Sequence, residues 1–328
     1  MTVTTPSTAT PAVTTGGTVV PGRTQLVRSE LRKIFTTNSW WLLGIGLLAF
    51  TGMAFLINMA SGHSQLRNYE FSVSQPPPNF DEFPPEARPS VAQQQEILAQ
   101  WQASIDLPGI LGRIGANLFT SGQYFGLLFI VILGCLIVTN EFYHQTATAT
   151  FLATPRRTKV VAAKLGAAVI FATLFWAVTT LISVALGALF FSSNGYDVPL
   201  GDADVWRAVG MNLLAYVVWA VLGVAIGVLL RSQIGSTITC VVLYLISLPA
   251  TLLLFALLRE YVIKTDEIWK FTVIVPSIAS MVMVSDGPVD ALPEGASPAW
   301  WVGLIVLLAY GVVAGVTGTL ITRRRDIS

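Results

Sequence analysis

The sequence predicts an all-α integral membrane protein with six transmembrane helices, and three observations predict it. Hydrophobic residues make up 53% of the 328 positions and charged residues only 11%, where a soluble domain carries about a quarter charged. Six apolar stretches lie near 40–60, 117–139, 165–191, 207–230, 236–258 and 300–321. Each approaches or exceeds the roughly 20 residues that a helix needs to cross a bilayer. The charges are also sorted. With both termini inside, segments 1–39, 140–164, 231–235 and 322–328 hold 12 of the 19 Lys and Arg but 3 of the 18 Asp and Glu, which is the positive-inside pattern. The expected location is the plasma (inner) membrane, multi-pass, with both termini cytoplasmic.

Residues 1–23 are rich in Thr, Pro, Val and Gly and carry no charge before Arg23. They lack the basic start and apolar core of a signal peptide and read as a disordered cytoplasmic tail. The six-span domain then runs 24–328. Within 24–38, Val27, Leu31, Ile34 and Phe35 form one helical stripe, opposed by Arg28, Arg32 and Lys33. That is the pattern of an amphipathic helix lying in the membrane interface, where its generic use is an anchor.

Span interiors are free of charge, and Trp40, Trp41, Trp206, Trp300 and Trp301 sit at or near their ends, as interfacial aromatics do. The external loop 61–116 contains Pro-rich sequence over 75–89, which excludes regular helix there, and a helix-compatible stretch over 90–105. It reads as a small cap. The loop 259–299 contains Phe271–Ser285, apolar but 15 residues long and interrupted by Pro276, which predicts a re-entrant or interfacial helix rather than a crossing.

The segment 140–164, NEFYHQTATATFLATPRRTKVVAAK, is too polar to cross and too short to be a domain. Its four basic residues against Glu141 place it inside, where a transporter would take force from a soluble partner. Glu141-Phe142, Gln145-Thr146, Leu152-Ala153-Thr154-Pro155 and Arg156-Arg157 in that order, with Glu30-Leu31-Arg32-Lys33 and Trp40-Trp41 upstream, resemble bacterial ABC transporter type-2 permeases. Gln145 departs from the Gly expected before Thr146. The resemblance implies that 24–38 is an elbow helix, that 140–164 holds a cytoplasmic coupling helix, and that short re-entrant helices lie between the fifth and sixth spans. It also implies an ATPase-subunit interface of Glu141, Phe142, His144, Thr148, Phe151, Leu152, Arg156, Arg157, Arg28 and Arg32. Two copies of an ABC ATPase subunit, carrying ATP and Mg, and a second permease chain, identical or not, would then be the partners, with membrane lipid and no nucleic acid. In such proteins the second and fifth spans line the pathway; here Asn117, Gln123, Phe125 and Phe129 in the second, and Thr237, Tyr244 and Leu248 in the fifth, are the candidates.

Other chemistries find little support. No Gly-x-x-x-x-Gly-Lys-[Ser/Thr] run exists, so the chain has no P-loop of its own. The chain is expected to bind no cofactor or metal: Cys135 and Cys240 lie inside spans as small hydrophobes, and His63 and His144 fall on opposite faces. Intramembrane polar residues are uncharged, which argues against ion coupling and against a membrane-embedded protease. The expected function is the permease subunit of an ATP-driven exporter of a hydrophobic or amphipathic substrate, such as a drug, lipid or glycolipid, with no enzymatic site of its own. The alternative is a non-transporting scaffold subunit of a larger membrane assembly.

Overall fold

The computed structural model describes residues 23–84, 86–146, 157–285, 289, 292–293 and 297–324. Among these there is helix and no strand, and six helices are long and apolar enough to cross a membrane. They are Ser39–Ser74, Leu107–Tyr143, Thr158–Ser193, Ala203–Leu230, Gln233–Ile263 and Trp300–Ile321, the first to sixth spans below. A further helix, Arg23–Phe35, precedes them with its apolar stripe against the third span.

The second and fourth spans form the core. They are 67% and 56% buried inside the chain, while the first, fifth and sixth are 17%, 11% and 17% buried and present their apolar faces outward. Small residues bring the central pair together: a Cβ on Gly223 would stand 2.2 Å from Val131 O, and one on Gly134 2.5 Å from Ala220 O. Without a hydrophobic drive between helices in lipid, such backbone contact supplies the association.

Two of the expected boundaries move. The first span continues as helix to Ser74, because beyond residue 60 the uniform apolar run gives way to an amphipathic one in which Phe55, Gly62 and Leu66 are buried and His63, Ser64 and Arg67 are exposed. The second span begins at Leu107, with Pro108 in its first turn. Residues 61–116 are therefore not a separate cap throughout. Leu66, Ile110 and Ile114 join Phe55, Phe190 and Phe191 in a second apolar cluster at the end of the bundle far from Arg23–Phe35. The stretch expected to be helical does form Val91–Ile105, started by a reciprocal Ser90–Gln93 capping box.

Two spans are interrupted. The second breaks at Thr120–Gly122, and side chains donate to carbonyls on both sides of the break: Thr120 Oγ1 to Ala116 O (2.7 Å), Asn58 Nδ2 to Asn117 O (3.1 Å), and Tyr216 OH to Gly122 O (2.8 Å). Broken helices survive at membrane depth when neighbours re-satisfy the backbone in this way. The fifth contains a π-turn at Val242–Ile246, one turn before Pro249, whose missing N–H and ring disrupt the α-helical ladder. The Pro276 segment forms two short helices, Asp266–Ile274 and Pro276–Val284, bent by 99°. The second of them is buried against the fourth and sixth spans.

Candidate functional site

Four charged side chains meet where the N-terminal helix touches the bundle. Lys164, near the start of the third span, donates from Nζ to Glu30 Oε2 (2.8 Å), Glu141 Oε1 (2.9 Å) and Ile137 O (3.2 Å). Its three protons therefore have three acceptors. Lys33 Nζ donates to Glu30 Oε1 (2.7 Å) and to the same Glu141 Oε1 (2.6 Å). Glu30, Glu141 and Lys164 are all buried, while the Lys33 side chain is 45% exposed and opens the cluster to water. The formal charges cancel, as buried ions require.

Electrostatics follow from this geometry. Burial favours the neutral acid at Glu30, but the adjoining Lys164 ammonium and the hydrogen bonds from both lysines outweigh it and hold the carboxyl below its ordinary value. Burial likewise opposes the charge on Lys33, and its bonds to Glu141 and Glu30 prevail, raising it.

The end of the second span is fixed on both sides of this cluster. The helix closes after Tyr143 with Thr146 N donating to Glu141 O (2.9 Å) and Gln145 N to Phe142 O (3.2 Å), the paired bonds of a Schellman motif. Gln145 occupies its left-handed position at φ 55°, where Gly is the unstrained choice. The Arg231 guanidinium, capping the fourth span, lies 5.6 Å from the centre of the half-buried Phe142 ring. Tyr143, His144, Arg28 and Arg32 are exposed beside it. Thr148, Phe151, Leu152 and Arg156 lie outside the described residues, as do all of 147–156 within the segment 140–164 in which a coupling helix was expected; Arg157 opens the helix Arg157–Ser193.

The pathway candidates divide between two places. Asn117, Gln123 and Phe125 line one cavity of about 340 Å³ between the break in the second span and Met53–Asn58 of the first. Phe129 continues that face, with Phe50 at 5.8 Å. Tyr244 is instead buried in the core, edge-on to Trp219 at 4.8 Å, and Leu248 packs beside it half-buried. Thr237 is half-buried near the other end of the fifth span. Among the described residues no group of three or more His, Cys, Asp or Glu could hold a metal ion.

A family model described as a protein of unknown function (DUF2705) matches residues 108–328, more than half of the chain. The chain belongs to the DUF2705 family. No curated protein matches it. The resemblance to ABC type-2 permeases is thereby corrected: the family found is DUF2705 and no ABC permease family is matched. That resemblance rested on the order of spans and loops and on short motifs of low specificity, which unrelated six-span proteins can share. The DUF2705 chain's match covers five of the six spans and ends at the last residue, but begins after the N-terminal helix and the first span.

Sequence reading missed Glu30, Lys33 and Lys164 as site residues. One signal was available. Glu30 falls three residues after Val27 and four before Ile34, on the apolar stripe of the N-terminal helix, and an acid there needs a buried cation.

Proposed function

We propose that the chain is the permease subunit of an ATP-driven exporter, moving a hydrophobic or amphipathic substrate with energy from a separate ATPase chain. The observation that carries the reading is the Glu30–Lys33–Glu141–Lys164 cluster. It joins the N-terminal helix to the last turn of the second span and the first turns of the third, the two helix ends that flank the polar segment 140–164. A push on that segment or on the helix reaches the bundle through buried, charge-assisted bonds rather than through a flexible tether. Six apolar spans and the absence of a P-loop in the sequence agree with a membrane subunit energised from outside itself.

The test is to purify the chain with the P-loop ATPase that accompanies it, reconstitute both, and follow ATP hydrolysis with efflux of a fluorescent amphiphile. Tyr143→Ala combined with Arg28→Glu and Arg32→Glu alters exposed groups beside the cluster and should uncouple hydrolysis from efflux without lowering the melting temperature. Aromatic anchors carry most of such contacts and rim charges tune them. Efflux that persists at full rate in the triple variant, or an active preparation free of any P-loop protein, would sink the reading.

A further inference from the structure

We infer that the cavity between the first and second spans is a binding site for an uncharged amphiphile whose head carries hydroxyl or amide donors and whose tail is an acyl chain. The cavity lies at the end of the bundle opposite the N-terminal helix. Asn58 is 19 residues beyond Ser39, so at 1.5 Å per residue it stands roughly 28 Å along the first span, near the far edge of the hydrocarbon layer.

The walls and the floor differ in chemistry. Met53 and Ile57 are exposed and Phe125 half-buried, so the cavity opens sideways toward lipid. The floor is polar because the second span breaks there. Asn58 spends its amide nitrogen on Asn117 O (3.1 Å) and Ser121 Oγ (2.9 Å), and Gln123 spends its own on Ser280 O (2.8 Å). Among the described residues no donor reaches Asn58 Oδ1 or Gln123 Oε1. Two amide carbonyls fixed by their nitrogens, at the lipid-facing edge of the bundle, are acceptors that a donor-bearing ligand would satisfy. None of the lining residues is Asp, Glu, Lys, Arg or His, so a charged head would find no counter-ion. The inference goes beyond the transport reading and does not need it.

The probe is monoolein, whose glycerol head is uncharged and carries two hydroxyls. Methyl oleate offers the same chain without donors, and oleate the same chain with a charge. Each is titrated into the full-length protein in detergent, and the melting temperature is followed to saturation. Monoolein should bind roughly tenfold to thirtyfold more tightly than methyl oleate, the equivalent of two net hydrogen bonds, and more tightly than oleate. Ala54→Phe places a ring in the cavity without cutting a bond and should abolish the effect of all three. Asn58→Leu should cut the preference for monoolein to roughly threefold to fivefold, the one remaining hydrogen bond, while leaving methyl oleate binding in place, a pattern that mere loosening of the fold would not produce. Equal binding of monoolein and methyl oleate, tighter binding of oleate, or an unchanged titration in Ala54→Phe would overturn the assignment. No ATPase enters the assay, so loss of transport with monoolein binding intact would count against the exporter alone.

Discussion

Replacing Lys164 by Met removes one ammonium from a closed set of four charges and keeps most of the side-chain volume. Glu30 and Glu141 would then share Lys33 alone, with both carboxylates still buried. Breaking a buried ion pair from one side costs roughly 3–5 kcal/mol. Because Lys33 is 45% exposed, water reaches the cluster and the lower figure applies, about 3 kcal/mol. At about 2 °C per kcal/mol for a chain of this size, the melting temperature of the purified protein should fall by about 6 °C. Adding Glu30→Gln to Lys164→Met should recover part of that loss, since the two groups are in contact and their effects should not add. The pH dependence carries a sign of its own. Glu30 is held below its ordinary 4.5, so its contribution is present above that value and is lost as pH falls through the folded one; Lys33 is raised above 10.5, so its contribution is present below that and is lost at more alkaline pH. The wild type should therefore hold a plateau between about pH 4.5 and 10.5. In Lys164→Met, Glu30 loses the ammonium that holds its carboxyl down while its burial remains, so the deficit should shrink on mild acidification. A fall of less than 2 °C at pH 7, or a deficit that grows toward pH 5, would refute the reasoning.

Gln145→Gly relieves a left-handed residue at the end of the second span and should raise the melting temperature by about 2 °C, an effect of about 1 kcal/mol. Gly223→Ala sets a methyl 2.2 Å from Val131 O and 3.0 Å from Cys135 N, both backbone atoms. The central helices must then part, at a cost of about 2 kcal/mol or more, readable as a drop of about 4 °C. Cysteine in place of the exposed Ser192 should react with an impermeant thiol reagent from outside intact cells, and cysteine in place of the exposed Ile234 should not, because the charge distribution puts these two loops on opposite faces. Reaction at Ile234 alone would mean that the positive-inside reading is inverted, and reaction at both that the helix of the fourth span does not cross.

The spans were legible because a helix in lipid must satisfy its backbone internally and cover itself with apolar side chains, and that leaves an uninterrupted signature. The close contact of the second and fourth spans rests on the small residues Gly134 and Gly223. What run length could not show is where a helix goes once it becomes amphipathic, so 61–74 and 107–116 read as loop although Leu66 and Ile110 are core residues. The ion cluster was harder still. Its members lie 134 residues apart in the extreme case of Glu30 and Lys164, and apart from Glu30 on its apolar stripe each alone looks like an ordinary charge near a helix end. Of the residues that line the cavity, Asn117 and Gln123 stand out in the sequence because polar residues at membrane depth are conspicuous; Asn58, equally polar and their neighbour, is hidden within the first apolar run.

The cluster and the cavity stand at opposite ends of one uninterrupted helix, Gln123–Tyr143. Its 21 residues span roughly 31 Å, and its neighbours on the fourth span touch it backbone to backbone, so it bends less readily than the exposed first or fifth span. At one end Glu141 is held by Lys33 and Lys164; at the other Gln123, which follows the break at Thr120–Gly122, holds Ser280 of the bent helix pair. Contacts therefore run continuously from the N-terminal helix to the cavity: through two lysines, along one helix, to a break flanked by carbonyls that Asn58 and Tyr216 bond. Coupling between distant sites needs an element with two arrangements that both sites can bias. In this fold the interrupted second span is the element with both connections.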